Sequence, residues 1–253
     1  KIKAARLFYP GWRVRTYVDT SYPPENLKTL ETDISEVVVV ANITGKIAGM
    51  FWRFLVMFDD TVDRWLVRDA DSILNTREAA AVDEWIASGL GFHATMDNPA
   101  HNYWPIIGCC FGGVRGAVPP EKVREIYDQH PQMSAKGGDQ DWLRDQVWPF
   151  VSQRSLIHAS WSCGEKQREK LLWRPFPTPR KGPQDFVGNP YNPDTLTDDM
   201  EPHVAALEPW LREPFGDFQQ YYAKSMKAFQ GSEPHNDGTC PPRCRGHPNW
   251  TFC

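Results

Sequence analysis

The stretch Arg64-Trp-Leu-Val-Arg-Asp-Ala-Asp-Ser72 sets the reading of the whole chain. The apolar residues Trp65, Leu66 and Val67 suit a short strand. That strand runs straight into two carboxylates, Asp69 and Asp71, two positions apart. If strand geometry persists past Val67, both point to the same side. Carboxylates so placed repel one another, and a hard divalent cation such as Mn2+ or Mg2+ relieves the repulsion by taking their oxygens as ligands. In α/β sheets, ligands gather beyond the carboxyl ends of strands, which is where this pair falls. A bare Asp-x-Asp also lies often on a plain solvated loop, so its surroundings carry the argument.

Downstream, Asn75-Thr-Arg-Glu78 resembles a capping box, since Asn75 accepts from the backbone three residues on and Glu78 can reach back. A helix is predicted over 76–88, ended by Gly89. Upstream, 46–58 places Ile47, Met50, Phe51, Phe54 and Phe58 on one helical face. Strands are predicted at 13–18, 37–40, 91–96 and 156–158. Short helices are predicted at 23–31, 121–130 and 139–148, the last stopped by Pro149. Lys1 to Tyr9 also reads as a helix. Gly108-Cys-Cys-Phe-Gly-Gly113 reads as a small-residue loop where a substrate can approach the backbone; it is too irregular for a dinucleotide or triphosphate fingerprint. The alternation predicts an α/β fold, a mixed sheet flanked by helices, with a single domain over 1–230. A Cys- and Pro-rich tail follows over 231–253.

Composition narrows the function. The chain has 253 residues, 28 basic and 32 acidic, for a net charge of −4. It lacks the basic excess of a nucleic-acid footprint. No uncharged apolar run approaches the roughly 18 residues of a membrane span. Of the 22 Pro, most lie from Pro175 onward, so regular structure should be sparse there. Six Cys occur, three of them (Cys240, Cys244 and Cys253) in the tail. With His235 or His247 they could hold zinc. Disulfide clips suit a polar tail better, though the pairing is not legible. Cys109 and Cys110 are expected not to bond each other, leaving one to pair with Cys163. Asn42-Ile-Thr44 and Asn249-Trp-Thr251 are glycosylation sequons. With the cysteines they favour the secretory pathway (the Golgi lumen) or the extracellular space.

Several motifs in order resemble a family. Phe51-Trp-Arg-Phe54, Val67-Arg-Asp-Ala-Asp-Ser72, Arg77-Glu-Ala-Ala-Ala-Val-Asp-Glu-Trp85, Phe92-His93, Asp97-Asn-Pro-Ala-His101 and Gly137-Gly-Asp-Gln140 together are similar to nucleotide-sugar-dependent glycosyltransferases of the GT-A fold. The likeness covers about residues 1–190 and extends weakly through Phe176, Arg180 and Phe186 to Gly188.

The resemblance implies transfer of a sugar from a nucleoside diphosphate to a glycan or glycoprotein acceptor. Asp69 and Asp71 would hold Mn2+ or Mg2+ on the donor diphosphate, with His158 as a third ligand. Without the resemblance, His158 reads as a buried, hydrogen-bonded histidine. Arg53 would contact the nucleotide or the first Asp, rather than pair with Asp59 or Asp60 on the surface. Arg68 would offset the acidic pair, or simply pair with Asp83. Asp139 would be general base if the reaction inverts, with Asp97 its rival. The plain alternatives are a helix-start carboxylate for Asp139 and a turn residue for Asp97. His93 and His101 could contact acceptor or phosphate, and Trp104, Trp142 or Trp161 a sugar, although each suits a core equally well.

The chain departs from the family at Ile73, where Arg is expected, and at Ala159, where Asp is expected. GT-A folds also open with a strand, carrying the nucleotide-base site, before the first helix; here that strand is expected to be missing. These departures keep open a second reading, a non-catalytic lumenal or extracellular protein that retains the fold. A metal-dependent hydrolase is a third, weakened by the want of a second metal cluster.

Overall fold

A computed structural model describes residues 2–44, 47–98, 101, 104–128, 137–161, 163, 170–180, 185–189 and 239–252. The boundary at 230, His235, Cys253 and the ends of the helices predicted at 46–58 and 121–130 lie outside them.

Helix α1 (Ile2–Phe8) precedes strand β1 (Val14–Asp19), helix α2 (Pro24–Leu30) and strand β2 (Ser35–Val40). β1 and β2 pair in parallel as a two-stranded sheet. Helix α3 (Ala48–Trp52) tightens into 3-10 turns over Arg53–Phe58 and delivers the chain to β3 (Arg64–Val67). Helix α4 (Thr76–Ser88) follows, then β4 (Phe92–Met96) and β5 (Phe111–Val114). Helix α5 (Lys122–Asp128) and α6 (Gly138–Trp142) come next. A π-helical stretch, Leu143–Val147, joins α6 to α7 (Trp148–Val151). Strands β6 (Ser155–Ala159) and β7 (Trp173–Arg174) complete a second sheet, ordered β3-β5-β4-β6-β7. In it β5 runs antiparallel to both β3 and β4, whereas β4, β6 and β7 are parallel. The fold is therefore mixed α/β.

Alternation along β3 separates the layers. Trp65 and Val67 enter the core built by Phe51, Phe54 and Met57 with Trp142, Leu143 and Val147. Leu66 faces the opposite core, of Ala4, Ala5, Val82 and Trp85. Helix α4 is bounded by local chemistry: Asn75 Oδ1 accepts from Glu78 N at 2.7 Å, and Gly89 caps the other end at φ 71°.

Three expectations need correction. Residues 111–114 form a central strand, not a loop. Glycine is poor in strands, but here it is required: a Cβ on Gly113 would meet the Trp65 ring, and one on Gly112 would meet Leu66 and the Trp65 carbonyl. Pro149 does not stop its helix. The π-helical turns widen the rod ahead of it, where its missing N–H is tolerated, and α7 runs on to Val151. The sulfurs also pair otherwise than expected: Cys109 bonds Cys110, and Cys163 bonds Cys244. Cys240 is disulfide-bonded too, so neither it nor Cys244 is left as a thiolate for zinc. The Cys163–Cys244 bond, together with an Arg180 N–H donated to Phe252 O at 3.3 Å, ties the tail to the body.

Candidate functional site

The two sheets leave a cavity of about 1440 Å³, lined by Arg13 and the β1 residues Val14 to Tyr17 and by the β3 segment (Asp63 to Ala70). Its lining includes six basic side chains (Lys3, Arg13, Arg15, Arg53, Arg64 and Arg68) and three acidic ones (Glu36, Asp63 and Asp69), but Arg15, Arg53 and Arg68 are also paired with Asp59, Asp139 and Glu78 outside the lining, which offsets the basic excess. Trp12 and Tyr17 add flat apolar surface.

Asp69 stands at one end of this cavity. The strand stops at Val67, and the chain turns, with Ser72 N–H donating to Asp69 O at 3.2 Å. The turn, not an extended strand, therefore sets the relation of the two carboxylates. Asp71 is exposed, and its charge acts on Arg53. The Asp69 side chain is 42% exposed and ion-paired with Arg53. Arg53 sits where α3 passes into the 3-10 turns, its Nε donating to Met50 O at 2.9 Å. Its Nη2 donates to Asp139 Oδ2 at 2.9 Å, so one guanidinium clamps two carboxylates far apart in sequence. Burial lowers the Arg53 pKa, and the charge of Asp139 opposes that shift.

Asp139 lies in the first turn of α6, entered through Gly137 at φ 90°. It is fully buried, and its Oδ1 has no hydrogen-bond partner among the described residues. Gln140 donates from Nε2 to Asp139 Oδ2 at 3.3 Å and accepts from Gly108 N at 3.1 Å. A Cβ on Gly108 would come within 2.5 Å of Gln140 Nε2 and 3.0 Å of Arg53 Nη2, so a side chain there would push both from the clamp. Arg53, Asp69, Asp139, Gln140 and Gly108 thus converge from four segments.

The other expected site residues lie elsewhere. Arg68 turns away from the acidic turn to Glu78, which also accepts from Tyr9 at 2.7 Å. Its Nη1 donates to Phe111 O at 3.0 Å, binding β3 to β5. Asp97 is fully buried between Arg77 and Arg180 and accepts from Ser160 Oγ at 2.6 Å and Val187 N at 2.9 Å. Burial raises its pKa, but Arg180 and Arg77 outweigh that and hold it below the usual value. With its oxygens filled by donors, it organises the core instead of meeting an acceptor.

His158 is not brought to the acidic turn. It is fully buried, with Nε2 3.0 Å from Glu84 Oε2 and Nδ1 2.8 Å from His93 Nε2. Glu84 can only accept, so His158 Nε2 carries the proton and Nδ1 accepts from His93. Burial lowers the pKa of both histidines. Trp142 is core, stacked on Phe54 at 5.6 Å. Trp161 is buried beside Cys240. Trp104 is half-buried, its Nε1 3.4 Å from Asp141 Oδ1. His101 is near Gly188 and Phe186.

Two carboxylates of the turn, Asp69 and Asp71, offer the hard oxygens that Mg2+ or Mn2+ prefers. No cluster of three or more His, Cys, Asp or Glu suited to a metal occurs among the described residues. A cation here would thus take its remaining ligands from a bound anion and water, as Mg2+ commonly does. No helix among the described residues is long and apolar enough to cross a membrane. No family model matches the chain, and no curated protein or solved structure matches it either.

Proposed function

We propose that the chain is a metal-dependent glycosyltransferase of GT-A type, moving a sugar from a nucleoside-diphosphate donor to a glycan or glycoprotein acceptor in the secretory pathway or outside the cell. The observation that carries this reading is the Arg53 clamp, which joins Asp69, on the lining of a large cavity, to the buried Asp139 behind it. Bound Mn2+ or Mg2+ would supply Lewis-acid neutralisation of the departing diphosphate. Asp69 and Asp71 hold it; His158 has no part in this version. Arg13 and Arg64 on the lining take the phosphates, and Trp12 and Tyr17 offer surface to the base. Of the two candidate bases, Asp139 is preferred because its Oδ1 has no hydrogen-bond partner among the described residues, whereas both Asp97 oxygens accept. For inversion, Asp139 Oδ1 takes the acceptor hydroxyl proton as that oxygen bonds the anomeric carbon and the bond to the diphosphate breaks.

The second reading is a non-catalytic relative of the fold. It is favoured by the ion pair that already occupies Asp69 and by the diversion of His158. Release of nucleoside diphosphate from a panel of nucleotide sugars separates the two. The transferase reading expects Mn2+- or Mg2+-dependent release that drops at least about 100-fold in Asp71→Asn, as for loss of one electrostatic group in a site. Binding of the donor without turnover supports the second reading.

A further inference from the structure

We propose that the Cys109–Cys110 disulfide is a redox-opened lock on the walls of the Arg53–Asp69–Asp139 site. The claim rests on the geometry of that site, not on its activity. The two cysteines are adjacent, with Cα atoms 3.8 Å apart, so their bond closes a ring holding a single peptide unit. A cross-link stabilises the folded state more as the loop it closes lengthens. Cys163–Cys244, spanning 81 positions, has that use; a bond between neighbours has almost none. What the vicinal bond does is shape its surroundings.

Two site walls rest on it. On one side, Cys110 N–H donates to Ile107 O at 3.0 Å, closing the turn that presents Gly108 to Gln140 and Arg53. Cys110 O is anchored by Thr95, through Oγ1 at 2.9 Å and N at 3.1 Å. On the other side, Gly188, at φ 84°, is pressed so closely on both sulfurs that a Cβ would collide with them. Gly188 belongs to the strap 185–189, which is bonded to the residues just after the acidic turn and to Asp97. Ile73 N–H donates to Asn189 O at 2.8 Å, Asn75 Nδ2 to Asp185 Oδ1 at 3.0 Å, and Val187 N–H to Asp97 Oδ2 at 2.9 Å. One bond thus sits between the turn that presents Gly108 beside Arg53 and the strap bonded to Ile73, two positions past Asp71.

A dithiol reductant delivers two electrons and two protons: the S–S bond breaks, Cys109 and Cys110 become thiols, and the dithiol leaves as its own disulfide. Both cysteines are buried, Cys109 at 5% exposure and Cys110 fully, so Cys109 is the one a reductant reaches first. The freed sulfurs must part by roughly 1.5 Å to reach van der Waals contact. A close-packed interior has no room for that, so Gly188 or the 107–110 turn gives way. The oxidised pair holds the site formed, and the reduced pair loosens it.

The test is a dithiol titration of the intact chain, with alkylation of free thiols mapped by mass spectrometry and backbone hydrogen exchange read in parallel. Cys109 and Cys110 are expected to be alkylated at dithiol concentrations that leave Cys163–Cys244 bonded. Exchange should then rise at least tenfold across 105–111 and 185–189 while α4 is unchanged. The double variant Cys109→Ser/Cys110→Ser should show the same exchange without dithiol and no response to it. The proposal is overturned if the pair resists until the whole chain unfolds, or if exchange in both segments is unmoved by selective reduction. Neither readout requires transferase activity, so its failure is separate from failure of the proposed function.

Discussion

At the residue scale, Asp97 shows what a carboxylate does when its oxygens are filled. Arg77 and Arg180 flank it, and the Arg77 guanidinium also lies 4.1 Å over the Phe176 ring. Burial pulls the Arg77 pKa down to about 10, so this cluster persists only because its charges are matched. Removing one partner of a buried pair costs about 3–5 kcal/mol. Asp97→Asn should lose that much in urea unfolding, whereas Asp71→Asn, at an exposed position, should lose under about 0.5 kcal/mol. Equal losses would contradict this assignment. The histidines predict acid sensitivity. His93, His101 and His158 all have pKa values lowered by burial, His101 to about 4. Below roughly pH 6.5 the unfolded chain takes up protons that the folded chain refuses. Stability should therefore fall with pH from there, by up to about 1.4 kcal/mol per pH unit for each histidine. Urea midpoints measured from roughly pH 8 down to pH 5 check this, and a flat profile would contradict it.

At the scale of elements, β5 is the informative strand. Its Gly112 and Gly113 make room for Leu66 and the Trp65 ring, which reaches the core through that space. Gly113→Ala should cost about 1–3 kcal/mol by overpacking. Gly116→Ala would cost only its backbone strain, because nothing lies near its Cβ position. A Gly113→Ala chain as stable as the parent would show that Trp65 yields. This strand also marks the limit of sequence reading. Helix α4 and strands β1 to β4 were legible, because capping residues and apolar periodicity are local signals. β5 was not, because its residues answer to Trp65, nearly fifty positions away in the chain. The site divides the same way. The acidic turn was visible as Asp69 and Asp71, and Asp139 as a carboxylate after Gly-Gly. The clamp joining Asp69 to Asp139 through Arg53 exists only in three dimensions. His158 illustrates the reverse. The family resemblance made it a ligand, but its register beside Thr95 delivers it to His93 and Glu84.

At the scale of the molecule, β1 of the small sheet and the β3 segment of the large one frame a cavity with Asp69 on its lining. A ligand that binds only the folded state raises its unfolding temperature. The most direct test is a thermal-shift screen of nucleoside diphosphates and nucleotide sugars, with and without Mn2+ or Mg2+, on the parent chain and on Asp71→Asn. The account predicts a rise that needs both cation and diphosphate and disappears in the variant; no rise for any nucleotide under either condition would contradict it.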